Sequence, residues 1–282
     1  MAEFETLLLD ISDGVATITL NRPEAMNAFN AKMREELTGL WASLRGNNDV
    51  RCLLVTGAGD RAFCTGIDRT EAVLDVDPDS ELLDGYVTEF MYDDPGHAMS
   101  PKAHELWKPV VAAINGIACG GAFYLLGEAD IIVASSSATF FDPHVTYGMT
   151  AAFEPMQLMG RMNFSDLARM SLMGASERLS ARRAMESGLV SEVVSPEDLM
   201  AHARGIATAI AASPALATQG TLRALWMARE LTRQQALDQA YLLTSIGNDQ
   251  KSLDEGLARF SSGTRVEWRL LTANGEEPPS KG

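Results

Sequence analysis

The sequence predicts an α/β fold followed by an all-helical C-terminal part. Three observations predict it: short apolar runs of strand length that recur ahead of helical stretches, a glycine pair closing one such run at Gly120-Gly121, and purely helical periodicity beyond Pro196. A chain of 282 residues with 46% hydrophobic and 22% charged residues has ordinary globular composition and length enough for one large core plus a smaller unit. The expected division is a core over 1–195 and a helical subdomain over 196–282.

Leu7-Leu-Leu-Asp-Ile11 and Val15-Ala-Thr-Ile-Thr-Leu20 flank Ser12-Asp13-Gly14, which reads as two strands joined by a tight turn. Met33, Leu37, Leu40, Trp41 and Leu44 recur at helical spacing after Asn30, an expected N-cap. Cys52–Gly57 is a third strand, the apolar run from Lys108 to its break at Asn115-Gly116 is strand-like, and Asp130–Ala134 and Ala138–Phe141 are two more. Ser180 to Gly188 carries cap residues at both ends of a short helix, and Leu189–Val194 returns as a strand. Leu199, Ala203, Ile206 and Ile210 then form one helical stripe, and Leu222, Leu225, Trp226, Leu231, Ala236, Leu237, Ala240, Leu242 and Leu243 supply further apolar positions. Between them, Thr70–Glu105 is acidic, with Asp93 and Asp94 before a Pro95-Gly96 turn. In that stretch Leu82, Leu83, Tyr86, Val87, Phe90 and Met91 stand close to helical spacing.

The formal charge of −15, without a basic run, opposes nucleic acid as a partner. Cys52, Cys64 and Cys119 make no CxxC or other metal-like spacing, so no metal is expected, and their odd number fits a reduced compartment. The opening Met-Ala-Glu-Phe-Glu-Thr has acids where a signal peptide needs a basic region. No apolar stretch approaches the roughly 18 residues of a membrane span. A cytoplasmic protein without membrane contact is expected.

Lys108-Pro-Val-Val-Ala-Ala-Ile-Asn-Gly-Ile-Ala-Cys-Gly-Gly-Ala122 is an apolar run that breaks at Asn115-Gly116 and ends on two glycines, which let bare N–H groups approach a ligand. A helix starting there turns its unpaired amides and positive end on the same ligand and stabilises an oxyanion. Phe63-Cys-Thr-Gly-Ile-Asp68 follows the Cys52–Gly57 strand. Together with Asn21-Arg-Pro-Glu-Ala-Met-Asn-Ala-Phe-Asn30 and Ala184-Met-Glu-Ser-Gly-Leu-Val-Ser-Glu-Val-Val194, in that order, these segments resemble the crotonase, or enoyl-CoA hydratase/isomerase, superfamily.

The resemblance implies a spiral of ββα turns, a helical tail that joins subunits into a homotrimer or homohexamer, and an acyl-CoA substrate whose enolate oxygen is held by two backbone amides. The tail reads equally as a cap on the monomer's own core. By motif position the amides are those of Ile67 and Gly121, with Thr65, Gly66, Asp68 and Arg22 around the ligand. Coenzyme A enters as part of the substrate, with no permanently bound cofactor. Its phosphates call for basic groups, for which Arg22, Arg61 and Arg69 are candidates, although all three read equally as surface arginines.

The chain departs from the family where hydratases carry two glutamates. Those places hold Tyr124 and His144. A histidine, with an unperturbed pKa of roughly 6.5, accepts and returns a proton near neutral pH, and a tyrosine orients water or donates weakly. Both also read as packing. Glu154, in Met149-Thr-Ala-Ala-Phe-Glu-Pro155, is either a helix-capping acid or an orienting partner for His144. Asp68 and Asp142 read as structural acids. Hydration is the leading reaction. Double-bond isomerisation, C–C hydrolysis and acyl-CoA binding without turnover stand as alternatives. A more distant one is an NAD(P)-dependent oxidoreductase, because Gly57-Ala-Gly-Asp-Arg-Ala62 fits a dinucleotide-binding pattern, although the following Phe63–Gly66 breaks the helix that pattern requires.

Overall fold

The computed structural model describes residues 4–72, 87–88, 91–92, 94–263, 269 and 271. It divides into two compact units, Met1–Ala211 and Ala212–Gly282.

In the first unit, β1 (Leu7–Ser12) and β2 (Val15–Leu20) pair antiparallel, and Asp13 and Gly14 turn the chain between them at φ 53° and 75°. Two positive φ values match the right-handed twist of the flanking strands. Helix α1 (Ala31–Gly46) starts where the Asn30 side chain accepts the Met33 N–H at 3.0 Å, and it buries Met33, Leu37, Leu40, Trp41 and Leu44. Strand β3 (Cys52–Gly57) runs parallel to β2, followed by β4 (Ala62–Cys64), β5 (Val110–Ile114), β6 (Ile117–Cys119), α2 (Ala122–Glu128), β7 (Ile131–Ser135) and β8 (Thr139–Phe141). Further on come α3 (Phe153–Leu158), α4 (Phe164–Met173), β9 (Leu179–Ser180), α5 (Ala181–Glu186), β10 (Glu192–Val194) and α6 (Leu199–Ala211).

Among the described residues the longer strands form a six-stranded sheet in the order β1-β2-β3-β5-β7-β10 and a four-stranded sheet in the order β9-β8-β6-β4. Only the outer pairs β1/β2 and β8/β9 are antiparallel in these two sheets. Both faces of β3 are covered: Leu53 and Val55 point into the core with Trp41 and Phe63, whereas Cys52 and Leu54 meet Leu199, Ala203 and Ala207 of α6. Such two-sided burial explains the unbroken apolar run in the sequence. It also places the unit boundary after Ala211 rather than at 195/196, because α6 completes the sheet's second face.

One expectation holds and two change in detail. Ala62 opens a strand rather than a helix, so the Gly57–Ala62 segment has no helix N-terminus for a dinucleotide. Val87–Thr88 pairs antiparallel with Met91–Tyr92 where the spacing of apolar residues favours a helix; Val87 and Thr88 are β-branched, which favours the extended form. Leu82, Leu83, Tyr86 and Phe90 lie outside the described residues. The strand expected over Leu189–Val194 shortens to Glu192–Val194.

The second unit consists of α7 (Ala215–Glu230), α8 (Arg233–Gly247) and α9 (Gln250–Ser261). Thr232 and Gln235 form a reciprocal capping box at the start of α8. Leu222 and Ala236 are buried, while Leu225, Leu237, Tyr241, Leu242 and Phe260 are exposed.

Asn27, 1% exposed, ties the N-terminal motif to the entry of β4. Its Oδ1 accepts the Arg22 N–H at 3.0 Å, and its Nδ2 donates to the Ala58 and Ala62 carbonyls at 2.9 and 2.8 Å. Asn27→Ala strands these groups in the interior and is expected to cost about 2–4 kcal/mol of stability, read by urea unfolding. A loss below about 0.5 kcal/mol contradicts this role.

Candidate active site

Strands β4 and β6 are parallel neighbours, with Ala62 opposite Ile117 and Cys64 opposite Ala118. Their carboxyl ends therefore bring Thr65-Gly66-Ile67 alongside Gly120-Gly121. The two backbones meet closely. A Cβ on Gly66, which sits at φ 86°, would lie 2.8 Å from the Gly121 nitrogen, and one on Gly121 would lie 2.6 Å from Cε1 of Phe29. Only glycine fits either place.

Phe29 orients the first donor. Its N–H donates to the Gly66 carbonyl at 2.9 Å and its carbonyl accepts the Asp68 N–H at 2.9 Å, a parallel bridge across Ile67. In such a bridge the flanking residues make the bonds, so the N–H of Ile67 points away from Phe29. Gly121 is the N-cap of α2, and the N–H groups of Phe123 and Tyr124 donate back to the carbonyls of Gly120 and Gly121. Among the described residues neither the Ile67 N–H nor the Gly121 N–H has a hydrogen-bond partner. Two unpaired amides at one point, one of them at a helix N-terminus, form a receptacle for negative oxygen.

The loop carrying Ile67 is braced from below. Arg22 donates to the Ala28 carbonyl at 2.7 Å and pairs with Asp68 at 2.9 Å, and the other Asp68 oxygen accepts the Thr70 N–H and hydroxyl at 3.1 and 2.7 Å. Burial pushes the Asp68 carboxyl up, but its bonds from Thr70 and Arg22 outweigh that and hold it below the usual carboxylate range. Thr65 joins the same brace, its hydroxyl donating to the Met26 carbonyl at 3.4 Å and its carbonyl accepting from the Cys119 thiol at 3.6 Å. Burial pushes the Cys64 and Cys119 thiols up to about 12, so neither supplies a thiolate beside the receptacle.

His144 stands beside it, with Cε1 3.8 Å from where a Cβ on Gly120 would be. Its ring is held on both sides: Nδ1 bonds Asp142 Oδ1 at 2.5 Å, and Nε2 lies 3.4 Å from Glu154 Oε1. Asp142 also accepts the His144 N–H at 3.2 Å and is almost fully buried. The bond from Asp142, aided by the charge of Glu154, raises the His144 pKa above its ordinary value despite burial and the opposing charge of Arg69. Burial pushes the Glu154 carboxyl up as well, an effect increased by the charges of Asp142 and Asp94 and partly offset by His144. Glu154 thus reaches His144 rather than serving only as a helix cap. Asp142, expected to be structural, orients the imidazole; its position two residues before His144 is the signal the sequence offers for this.

Tyr124, three residues past Gly121 on α2, is 3% exposed and its hydroxyl donates to the Asp94 carboxylate. Its ring meets His97 edge-on at 6.3 Å and Phe153 at 6.4 Å. Among the described residues Asp142, His144 and Glu154 also bring one ligand atom each within 4.8 Å of the others. Arg69 stacks 4.3 Å over the Tyr147 ring. Among the described residues no helix is long and apolar enough to cross a membrane.

The model of one protein family, enoyl-CoA hydratase/isomerase, matches residues 10–269. The chain is 32% identical over 252 residues to (E)-benzylidenesuccinyl-CoA hydratase of Thauera aromatica, covering 89% of this chain and 94% of that one. It is 34% identical over 211 residues to 1,2-epoxyphenylacetyl-CoA isomerase of Escherichia coli, covering 74% and 78%. A crystal structure of an enoyl-CoA hydratase/isomerase from Mycobacterium paratuberculosis superposes with a TM-score of 0.79 at 33% identity, covering 94% of this chain and 98% of that one.

If the receptacle is made of backbone, the side chain at 67 is immaterial and its amide is not. Ile67→Val is expected to leave turnover of an enoyl thioester within a few-fold of wild type, and Ile67→Pro, with folding verified by its melting curve, to lower kcat about 10²–10³-fold. Equal losses in the two variants contradict the assignment.

Proposed function

The chain belongs to the enoyl-CoA hydratase/isomerase family, and on that premise we propose that it adds water across the double bond of an enoyl-CoA through an enolate held by Ile67 and Gly121. The observation that carries this reading is the pair of unpaired amides with a carboxylate-bound imidazole beside it. As the water oxygen bonds to the β-carbon, the electron pair of the C=C bond moves toward the thioester oxygen. Each preorganised N–H facing that oxygen contributes on the order of 2.7–4 kcal/mol to the transition state.

The enolate then needs a proton at its α-carbon. His144 is suited to deliver it. Asp142 and the charge of Glu154 beside its two ring nitrogens favour the imidazolium, the form that carries a transferable proton on Nε2. Asp142 holds the ring in place throughout, as an orienting carboxylate does in other histidine sites.

Coenzyme A arrives and leaves with the acyl group. The buried, unpaired thiols Cys52, Cys64 and Cys119 fit work in the reducing cytoplasm. The exposed apolar side chains of the helical unit, Leu225, Leu237, Tyr241 and Phe260 among them, support its use as a subunit interface of a trimer or a pair of trimers. Equilibrium sedimentation is expected to report a multiple of three; a clean monomer at micromolar concentration contradicts it.

Turnover of a panel of enoyl-CoA thioesters, with products identified by mass and by double-bond position, tests the reaction and separates water addition from double-bond migration and from binding alone. His144→Ala is expected to lower kcat/KM about 10²–10⁴-fold. The pH dependence has a definite sign. A donor that must be charged is lost as pH rises through its pKa, and that pKa lies above the ordinary 6.5 here. Wild-type kcat/KM therefore falls on the basic side above that value, and this limb disappears from the residual activity of His144→Ala. An unchanged rate, or a basic limb that survives the substitution, contradicts the role.

A further inference from the structure

Water addition releases one proton from water while a different one goes to the α-carbon, so a second group must stand ready as base. His144, paired to two carboxylates, is occupied as the donor. Glu154 is poorly placed to be that base, because it lies 3.4 Å from Nε2 of the same donor. The position three residues past Gly121, where the family's other glutamate stands, holds Tyr124, and a phenol with a pKa near 10 is a weak base precursor at neutral pH.

Tyr124 nevertheless brings a carboxylate to that place. Its hydroxyl donates to one oxygen of Asp94, and the other oxygen accepts the Gly96 N–H at 2.9 Å. Asp94 is 8% exposed, and the ring of Tyr124 that it binds lies 6.4 Å from that of Phe153, the residue before Glu154. An ionised carboxylate has about four lone-pair positions, and these two bonds leave the remainder for a water molecule.

We propose that Asp94 is the second proton-transfer carboxylate of this site, presented by Tyr124 as its positioning residue. The inference rests on the acyl-CoA reading above. In the forward direction an O–H bond of water breaks, its proton goes to Asp94, and its oxygen bonds to the β-carbon. The C=C electron pair forms the enolate against Ile67 and Gly121, and the Nε2 proton of His144 goes to the α-carbon. Asp94 ends neutral with one proton gained and His144 ends neutral with one lost, and exchange with solvent resets both. Each of the two lost glutamates is thereby replaced by a pair, Tyr124 with Asp94 and His144 with Asp142.

On this assignment Asp94 serves the attack of water and His144 the proton at the α-carbon, so loss of Asp94 removes hydration but leaves α-proton chemistry. The groups that face Asp94 are Tyr124 and Glu154, with His97 edge-on to the Tyr124 ring; those that face His144 are Asp142, Glu154 and Arg69. The test uses the full-length protein with crotonyl-CoA and cinnamoyl-CoA for hydration across pH. In parallel, deuterium exchange at the α-carbon of the matching saturated acyl-CoA is followed, because exchange needs the amide receptacle and His144 but no attacking water.

Asp94→Asn is expected to lose hydration about 10²–10⁴-fold, while α-exchange stays within a few-fold of wild type. Tyr124→Phe, which leaves the carboxylate on Gly96, is expected to lower hydration less, again with α-exchange within a few-fold of wild type. Hydration unchanged in Asp94→Asn, or exchange falling along with hydration, overturns the proposal. If Asp94→Asn does not fold, hydration unchanged in Tyr124→Phe, or exchange falling along with it, overturns the proposal instead. A wild-type protein that exchanges α-protons but adds no water overturns this inference alone; one that does neither overturns the acyl-CoA reading as well.

Discussion

The site depends on one close contact, that of Gly66 with Gly121. Two parallel strands, Ala62–Cys64 and Ile117–Cys119, end side by side, and the chain leaving each passes so near the other that a single added carbon has no room. The contact sets the separation and direction of two N–H groups without using either. Everything around it preserves that arrangement: Phe29 takes up the Gly66 carbonyl and the Asp68 N–H, Arg22 clamps Asp68, and Asn27 anchors the entrance to the first strand. The helix beginning after Gly121 is buried along its whole length, and at its far end Lys102 bonds Asp130 at 3.0 Å, so its N-terminus has little freedom to drift. An oxyanion site gains most when its dipoles need no reorganisation at the moment of reaction, and a backbone cradle fixed by packing meets that condition.

On our proposal the proton-transfer groups around this cradle differ from a lone carboxylate: each is a ring that holds one. At one place the imidazole of His144 is gripped by Asp142 and approached by Glu154; at the other the phenol of Tyr124 binds Asp94. Such pairs split two jobs that a single carboxylate does alone, carrying the proton and being held in position. The electrostatics differ as well, because carboxylates beside an imidazole favour its charged form, whereas desolvation favours the neutral form of a lone buried carboxyl.

How much is legible in the sequence follows from the same distinction. The hairpin around Asp13-Gly14, the Asn30 cap and the glycine pair are readable because each is a local backbone requirement written in a few adjacent residues. The amides of Ile67 and Gly121 are readable by position because a backbone donor survives any change of side chain. Tyr124, His144 and Glu154 can be picked out as candidates, but the carboxylates that Tyr124 and His144 hold cannot. Asp94 lies 30 positions from Tyr124, and within an acidic stretch nothing marks it out from Asp93. Asp142 is visible but ambiguous, since a carboxylate two residues before a histidine caps or orients with equal ease until the ring's rotamer is known. Glu154 admits two readings in the sequence, and only the 3.4 Å approach to Nε2 separates them. The unit boundary moves to Ala211 because periodicity identifies an apolar helical face but not the surface it covers.

The central claim is that two backbone amides polarise a thioester carbonyl before any proton moves. The most direct measurement is the infrared difference spectrum of an enoyl-CoA labelled with ¹³C at the thioester carbonyl, bound to the His144→Ala protein so that turnover is suppressed. The C=O stretch is expected at lower frequency than in free solution, with the shift diminished when Ile67→Pro is combined with His144→Ala. A bound ligand whose carbonyl stretch matches the free thioester would contradict the claim.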